Sequence, residues 1–174
     1  MSVSAVWFAV QDGSPDNFLD AAGLVDTGEA DEFFEAEVSA ALYPDGWYVV
    51  LAGDPELFEL ENLKAFSENA RLVAAVAHEG TLFSLATEWR NGAPVWSVSH
   101  EVSDTGEPLI TVDGQLPDAF EPVRQEYLEK LDGHTPAEIA FEAPLEVAFR
   151  ITGFRADMVG FEEDGPVFTR LEEM

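Results

Sequence analysis

Apolar positions along this chain fall into two rhythms: runs of strand length that are continuous or alternating, and stripes spaced three and four residues apart. Residues 3–10 are almost unbroken apolar sequence, which predicts a strand buried on both faces. Ser14-Pro15 reads as an N-cap and first-turn pair opening a short helix through Phe18, Leu19 and Ala22. Residues 34–42 alternate as a strand would, with Phe34, Ala36, Val38, Ala40 and Leu42 on one face, although a helical stripe is also present. The strand is favoured, because Tyr43-Pro44-Asp45-Gly46 is turn chemistry leading directly into a second apolar run at 47–51. Asp54-Pro55 then opens a helix whose inward stripe is Leu57, Leu60, Leu63 and Phe66.

The most determined stretch is 71–101, three strands joined at Glu79-Gly80 and at Asn91-Gly92. Two-residue loops at both turns set Val76 opposite Phe83, Thr87 opposite Trp96 and Phe83 opposite His100. One face then carries Leu72, Ala74, Val76, Phe83, Leu85, Trp96 and Val98, and Arg71 lies directly across from Glu88 on the other. That second face is mostly alanine and serine, which lets a helix approach closely or leaves a shallow groove. Residues 109–112 suggest a further strand. Phe120, Val123, Tyr127 and Leu131 suggest a helix ended by Gly133, and 145–151 a shorter one stopped by Gly153. The expected fold is α+β, a mostly antiparallel twisted sheet centred on the hairpins 71–101 with three to four helices packed on it. A single globular domain over 1–174 is expected, with a loose acidic tail from about 157.

Composition changes the picture chiefly through charge. Against 35 acidic residues stand two lysines and six arginines, a formal net charge of −27 at pH 7. Hydrophobic residues make up 47% of the chain, too much for disorder, so the acids must coat an ordinary core. Such a surface repels phosphate backbones and anionic lipid, arguing against nucleic acid and membrane as partners, and it attracts basic partners or cations, while solubility or a salt-rich cytoplasm is the alternative reason for it. No cysteine is present, so disulfides and thiolate chemistry are excluded. No basic segment precedes an apolar run at the N-terminus, which gives a cytoplasmic expectation. The densest acidic cluster is Glu29, Asp31, Glu32, Glu35 and Glu37.

Catalytic signatures are missing: no Gly-x-Ser-x-Gly elbow, phosphate loop, dinucleotide fingerprint or His-Glu-x-x-His. Neither a cofactor nor a metal is expected. His78-Glu79 and His100-Glu101 end two of the predicted strands on one shared face. The middle strand holds the two histidines on the order of 11–12 Å apart, too far for a common zinc. They nevertheless mark a candidate pocket at that end of the sheet, with histidine as acid or base beside Glu79 or Glu101. Trp89, next to the Asn91-Gly92 turn, is a candidate exposed anchor for a partner.

Tyr43-Pro-Asp-Gly-Trp-Tyr, Trp89-Arg-Asn-Gly and Trp96-Ser-Val-Ser-His100 together resemble a group of bacterial proteins of uncharacterised function, over the middle half of the chain. The resemblance implies a bacterial, cytoplasmic protein and carries no catalytic residue. Two functions are therefore expected. The first is a non-enzymatic acidic binding protein engaging a basic protein partner, in the manner of an immunity or antitoxin-like inhibitor. The alternative is a small-ligand-binding or hydrolytic enzyme with its pocket at the His78/His100 end of the sheet.

Overall fold

The computed structural model describes residues 4–129, 136–156 and 166–174. Among these residues nine antiparallel strands form one open sheet. They are β1 (Ser4–Gln11), β2 (Leu24–Ala30), β3 (Val38–Leu42), β4 (Tyr48–Ala52), β5 (Arg71–His78), β6 (Phe83–Arg90), β7 (Ala93–Val102), β8 (Pro108–Gly114) and β9 (Thr169–Glu173). Their order across the sheet is β2-β9-β3-β4-β1-β5-β6-β7-β8. The helices are α1 (Pro15–Ala22), α2 (Leu60–Phe66), α3 (Phe120–Arg124) and α4 (Ala137–Thr152), with a 3-10 turn at Pro55–Phe58. This is the α+β fold expected from the sequence.

β1 sits at the centre, hydrogen-bonded to β4 and β5, and Val6 through Val10 are all buried. A strand apolar on both faces needs cover on both, and the helices supply it. On one side Val6, Phe8 and Val10 pack with Phe18 of α1 and with Leu63 and Phe66 of α2. The rings of Phe18 and Phe66 are only 4.4 Å apart there. On the other side Trp7 and Ala9 pack with Val123 of α3 and with Phe141, Leu145 and Val147 of α4. Ser14 caps α1 as predicted, its hydroxyl accepting from the Asp16 amide at 3.2 Å.

The alanine- and serine-rich face of β5 and β6 carries α4. Ala75 and Ala86 are fully buried beneath it, and the Ser84 hydroxyl donates to the Phe141 carbonyl at 2.7 Å. Small side chains are what permit that closeness. α4 begins well before the short helix expected over 145–151, runs through Pro144, and stops at Gly153 in the left-handed region as expected. Of the predicted helix ending at Gly133, α3 and one π-helical turn (Gln125–Glu129) are seen, while Leu131 and Gly133 lie outside the described residues. The predicted loose tail is corrected in part: residues 157–165 lie outside the described residues, but β9 is an interior strand between β2 and β3 with Leu171 buried. β2 was not anticipated at all.

The register at 71–101 needs two corrections. β5 and β6 close at His78 opposite Phe83, a four-residue connection in which Leu82 takes a φ of 54°, so Val76 faces Leu85 and not Phe83. A shift of two leaves the faces intact. Between β6 and β7 the pairing jumps from Trp89 opposite Pro94 to Glu88 opposite Trp96, a bulge that leaves Val95 unpaired across from β6. A shift of one exchanges the faces, so Trp96, Val98 and His100 turn under α4. Arg71 pairs with Arg90 in the backbone register, yet its Nη2 reaches diagonally to the buried Glu88 at 3.0 Å, and Arg90 holds the same carboxylate at 2.7 Å.

The bulge is locked by its other neighbour. The Val95 carbonyl accepts from the Gln115 amide at 2.8 Å, and Gly114 crosses it with a φ of 81°. A Cβ at position 114 would lie 2.2 Å from that carbonyl oxygen. Gly114→Ala is therefore expected to lose at least about 2 kcal/mol of unfolding free energy in urea denaturation, from left-handed strain plus the backbone clash. An unchanged midpoint would show that the bulge is not held there.

Candidate functional site

The bulge also separates the two candidate histidines. His78 ends β5 on the α1/α2 face, its Nδ1 3.2 Å from the Thr81 hydroxyl. His100 lies on the opposite face, fully buried, with its ring edge-on to Phe141 at 6.5 Å. The expected common pocket for His78 and His100 is thus corrected: they do not share a face. Glu101 is exposed on the side away from α4 and joins neither. Among the described residues, no group of three or more His, Asp or Glu side chains is placed to hold a metal.

His100 is instead an interior group. Its Nδ1 lies 2.6 Å from the Leu82 carbonyl, and since a carbonyl only accepts, Nδ1 carries the proton. Nε2 is buried with no hydrogen-bond partner among the described residues. Burial pushes the imidazole below its ordinary value, outweighing the Leu82 hydrogen bond and the charge of Glu101. The arrangement suits a neutral strut between the β5–β6 connection and α4, with no solvent contact for proton exchange with a substrate.

A cavity of about 420 Å³ does open at this end of the sheet, next to the histidines and not around them. Its floor is Ala5 and Trp7 of β1, Leu51 of β4 and Ala77 of β5, and its roof is Phe141 and Leu145 of α4. The third wall comes from the loop before β3, through Phe34, Ala36 and Glu37. Glu79 stands at the margin, so one residue of the predicted pocket and one of the predicted acidic cluster meet here. Arg155 and Glu142 also line it. The arginine is buried, and holds Glu142 at 2.6 Å through Nη2 and Glu146 at 3.1 Å through Nη1.

Of the acidic cluster, Glu29 lies near the end of β2, and Asp31, Glu32, Glu35 and Glu37 form the loop between β2 and β3. Asp31 organises it from within: its carboxylate accepts from the Glu35 amide at 2.9 Å and the Ala36 amide at 3.2 Å, while its own amide donates to the Phe168 carbonyl at 2.8 Å. Phe34 takes a φ of 54° and packs its ring 5.3 Å from Phe168. A bulky residue in that region costs about 1–3 kcal/mol, offset here by the buried ring. Phe33 is then turned outward and is 80% exposed, with Glu29, Glu32 and Glu35, within four residues of it along the chain, also exposed, and Val167 exposed on the strand approach beside Phe168. Asp31 is therefore a scaffold for its own loop, and the outward members are Glu29, Glu32 and Glu35.

Trp89 is corrected more sharply. It is 9% exposed and belongs to the α1/α2-side core, opposite Leu72. Sequence reasoning missed Phe33 as the exposed aromatic. The available signal was a Phe-Phe pair within an acidic run, where one ring can anchor and its neighbour must then face outward. It also missed Arg155, which carries no motif.

No family model matches the chain, and neither a curated protein nor a solved structure matches it. No helix among the described residues is long and apolar enough to cross a membrane.

Because the folded chain holds His100 below its ordinary value near 6.5, the unfolded chain takes up that proton first as pH falls. Stability from neutral His100 is therefore complete above about 6.5 and is lost as pH falls from there towards the depressed folded value. NMR titration of His100 is expected to show a midpoint below 6.5, and His100→Leu to flatten the acid-side loss of stability relative to wild type. A midpoint at or above 6.5 would contradict the buried-strut reading.

Proposed function

We propose that this chain is a non-enzymatic acidic binding protein that engages a basic protein partner, in the manner of an immunity or antitoxin-like inhibitor, through the loop between β2 and β3. The observation that carries the reading is Phe33, an almost fully exposed phenylalanine set among the exposed carboxylates of Glu29, Glu32 and Glu35. Exposed aromatics surrounded by charge are the anatomy of a binding hot spot with a polar rim. The loop's geometry is supplied by Asp31 and Phe34 before any partner arrives, which lowers the entropy lost on association.

Electrostatics support the same reading. Each of the six arginines lies within ion-pair distance of an acid of this chain: Arg71 and Arg90 at Glu88, Arg124 at Glu121, Arg150 at Glu126 and Glu146, Arg155 at Glu142 and Glu146, and Arg170 at Glu172. Among the described residues the charge left to a partner is, Lys64 apart, carboxylate. Complementary charge of that kind accelerates encounter and makes it depend on salt.

The test is affinity capture with the purified protein as bait, followed by titration of the captured basic protein. Capture at low salt and release at high salt are expected. Phe33→Ala is expected to weaken binding by more than about tenfold, and Glu32→Lys with Glu35→Lys by a similar factor, at unchanged thermal stability. A bait that retains no basic protein at low salt, or a partner indifferent to these substitutions, would refute the assignment.

A further inference from the structure

We infer that the cavity beneath α4 is a binding site for a small amphiphilic organic cation, a ligand with an apolar body and one ammonium or guanidinium end. This goes beyond the partner-binding reading, since it concerns the interior side of the β2–β3 loop and not the outward Phe33.

At about 420 Å³ the cavity falls within the range of roughly 300–1,000 Å³ typical of small-ligand sites. It exists because of sequence choices on the sheet. β1 and β5 present Ala5 and Ala77 at this end, where larger side chains would fill the gap beneath α4. Trp7, Leu51, Phe141 and Leu145 make the remaining floor and roof, surfaces suited to a hydrocarbon or aromatic body.

Charge selects the other end of the ligand. Two of the lining carboxylates, Glu37 and Glu79, are exposed at the margin, and among the described residues neither has an ion-pair partner. The one cation in the lining, Arg155, directs both terminal nitrogens at carboxylates of α4, with Glu142 at 2.6 Å and Glu146 at 3.1 Å. An anionic ligand would have to displace one of those contacts and would meet Glu37 and Glu79 at the mouth. A cation meets them favourably and disturbs neither.

The test is a calorimetric and NMR titration of the intact protein with 4-phenylbutylamine and, as a control of the same body and opposite charge, 4-phenylbutyrate. Saturable binding of the amine is expected, with amide shifts at Ala5, Leu51 and Ala77, and binding of the acid at least about tenfold weaker. Glu37→Gln combined with Glu79→Gln is expected to weaken the amine by about tenfold and leave the fold unchanged, since both side chains are exposed. Phe33→Ala leaves amine binding intact, so this site and the partner surface fail or succeed separately. N-acetyl-lysine amide, which lacks the large apolar body, is expected to bind more weakly than the amine. Absence of saturable binding, preference for the acid, tighter binding of the lysine amide, or full affinity in the Glu37/Glu79 double variant would each overturn the assignment.

Discussion

Burial of β1 on both faces is the constraint from which the rest follows. Val6, Phe8 and Val10 need one apolar layer and Trp7 and Ala9 need another, so helices must lie above and below an antiparallel sheet. Neighbouring strands have to meet the same demand near the centre, and β4 and β5 do so with Val49, Val50, Val73 and Ala74, all essentially unexposed. With both layers committed to hydrocarbon, most carboxylates lie on connections, strand edges and the outward sides of the helices. Among the described residues Glu88 is the one buried acid, and two arginines neutralise it.

That partition explains how so acidic a chain keeps an ordinary apolar core. Its arginines stand beside its own glutamates, some on the surface and some in partly buried networks such as Glu142, Arg155, Glu146 and Arg150. Even an interior phenol registers the surroundings: Tyr48 is pushed up to about 12, first by burial and then by Asp26 and Asp16. The two features proposed as functional lie where the partition is incomplete. One is the β2–β3 loop, where Phe33 is left outside, and the other is the end of the sheet, where alanines on β1 and β5 leave a gap that α4 roofs without filling.

Much of the fold was legible because local signals agree with it. The Ser14 cap, the Tyr43-Pro44-Asp45-Gly46 turn and the Asn91-Gly92 hairpin each act within a few residues, and the small-residue face correctly implied a close-packed helix. What escaped was non-local. The bulge at Val95 depends on Gly114 crossing it from the next strand, and Pro94 was the only hint within β7 itself. Missing it placed His100 on the wrong face and made a pair of two unrelated histidines. β9 was read as tail because Thr169–Glu173 is too acidic to look like an interior strand. It becomes one between β2 and β3, with Leu171 its inward anchor. At the site, Glu37 and Glu79 were both singled out from sequence, but their meeting across one cavity requires the sheet order.

Residue-resolved hydrogen exchange tests the two-sided burial most directly. If the central strands are dry on both faces, the amides of β1 and β5 should exchange only through global unfolding, with the free energy that denaturant titration returns, while those of the outer strands β2 and β8 exchange through smaller openings. Central amides that exchange as readily as the edges would mean that one of the two helical layers does not cover the sheet, and the account would fail.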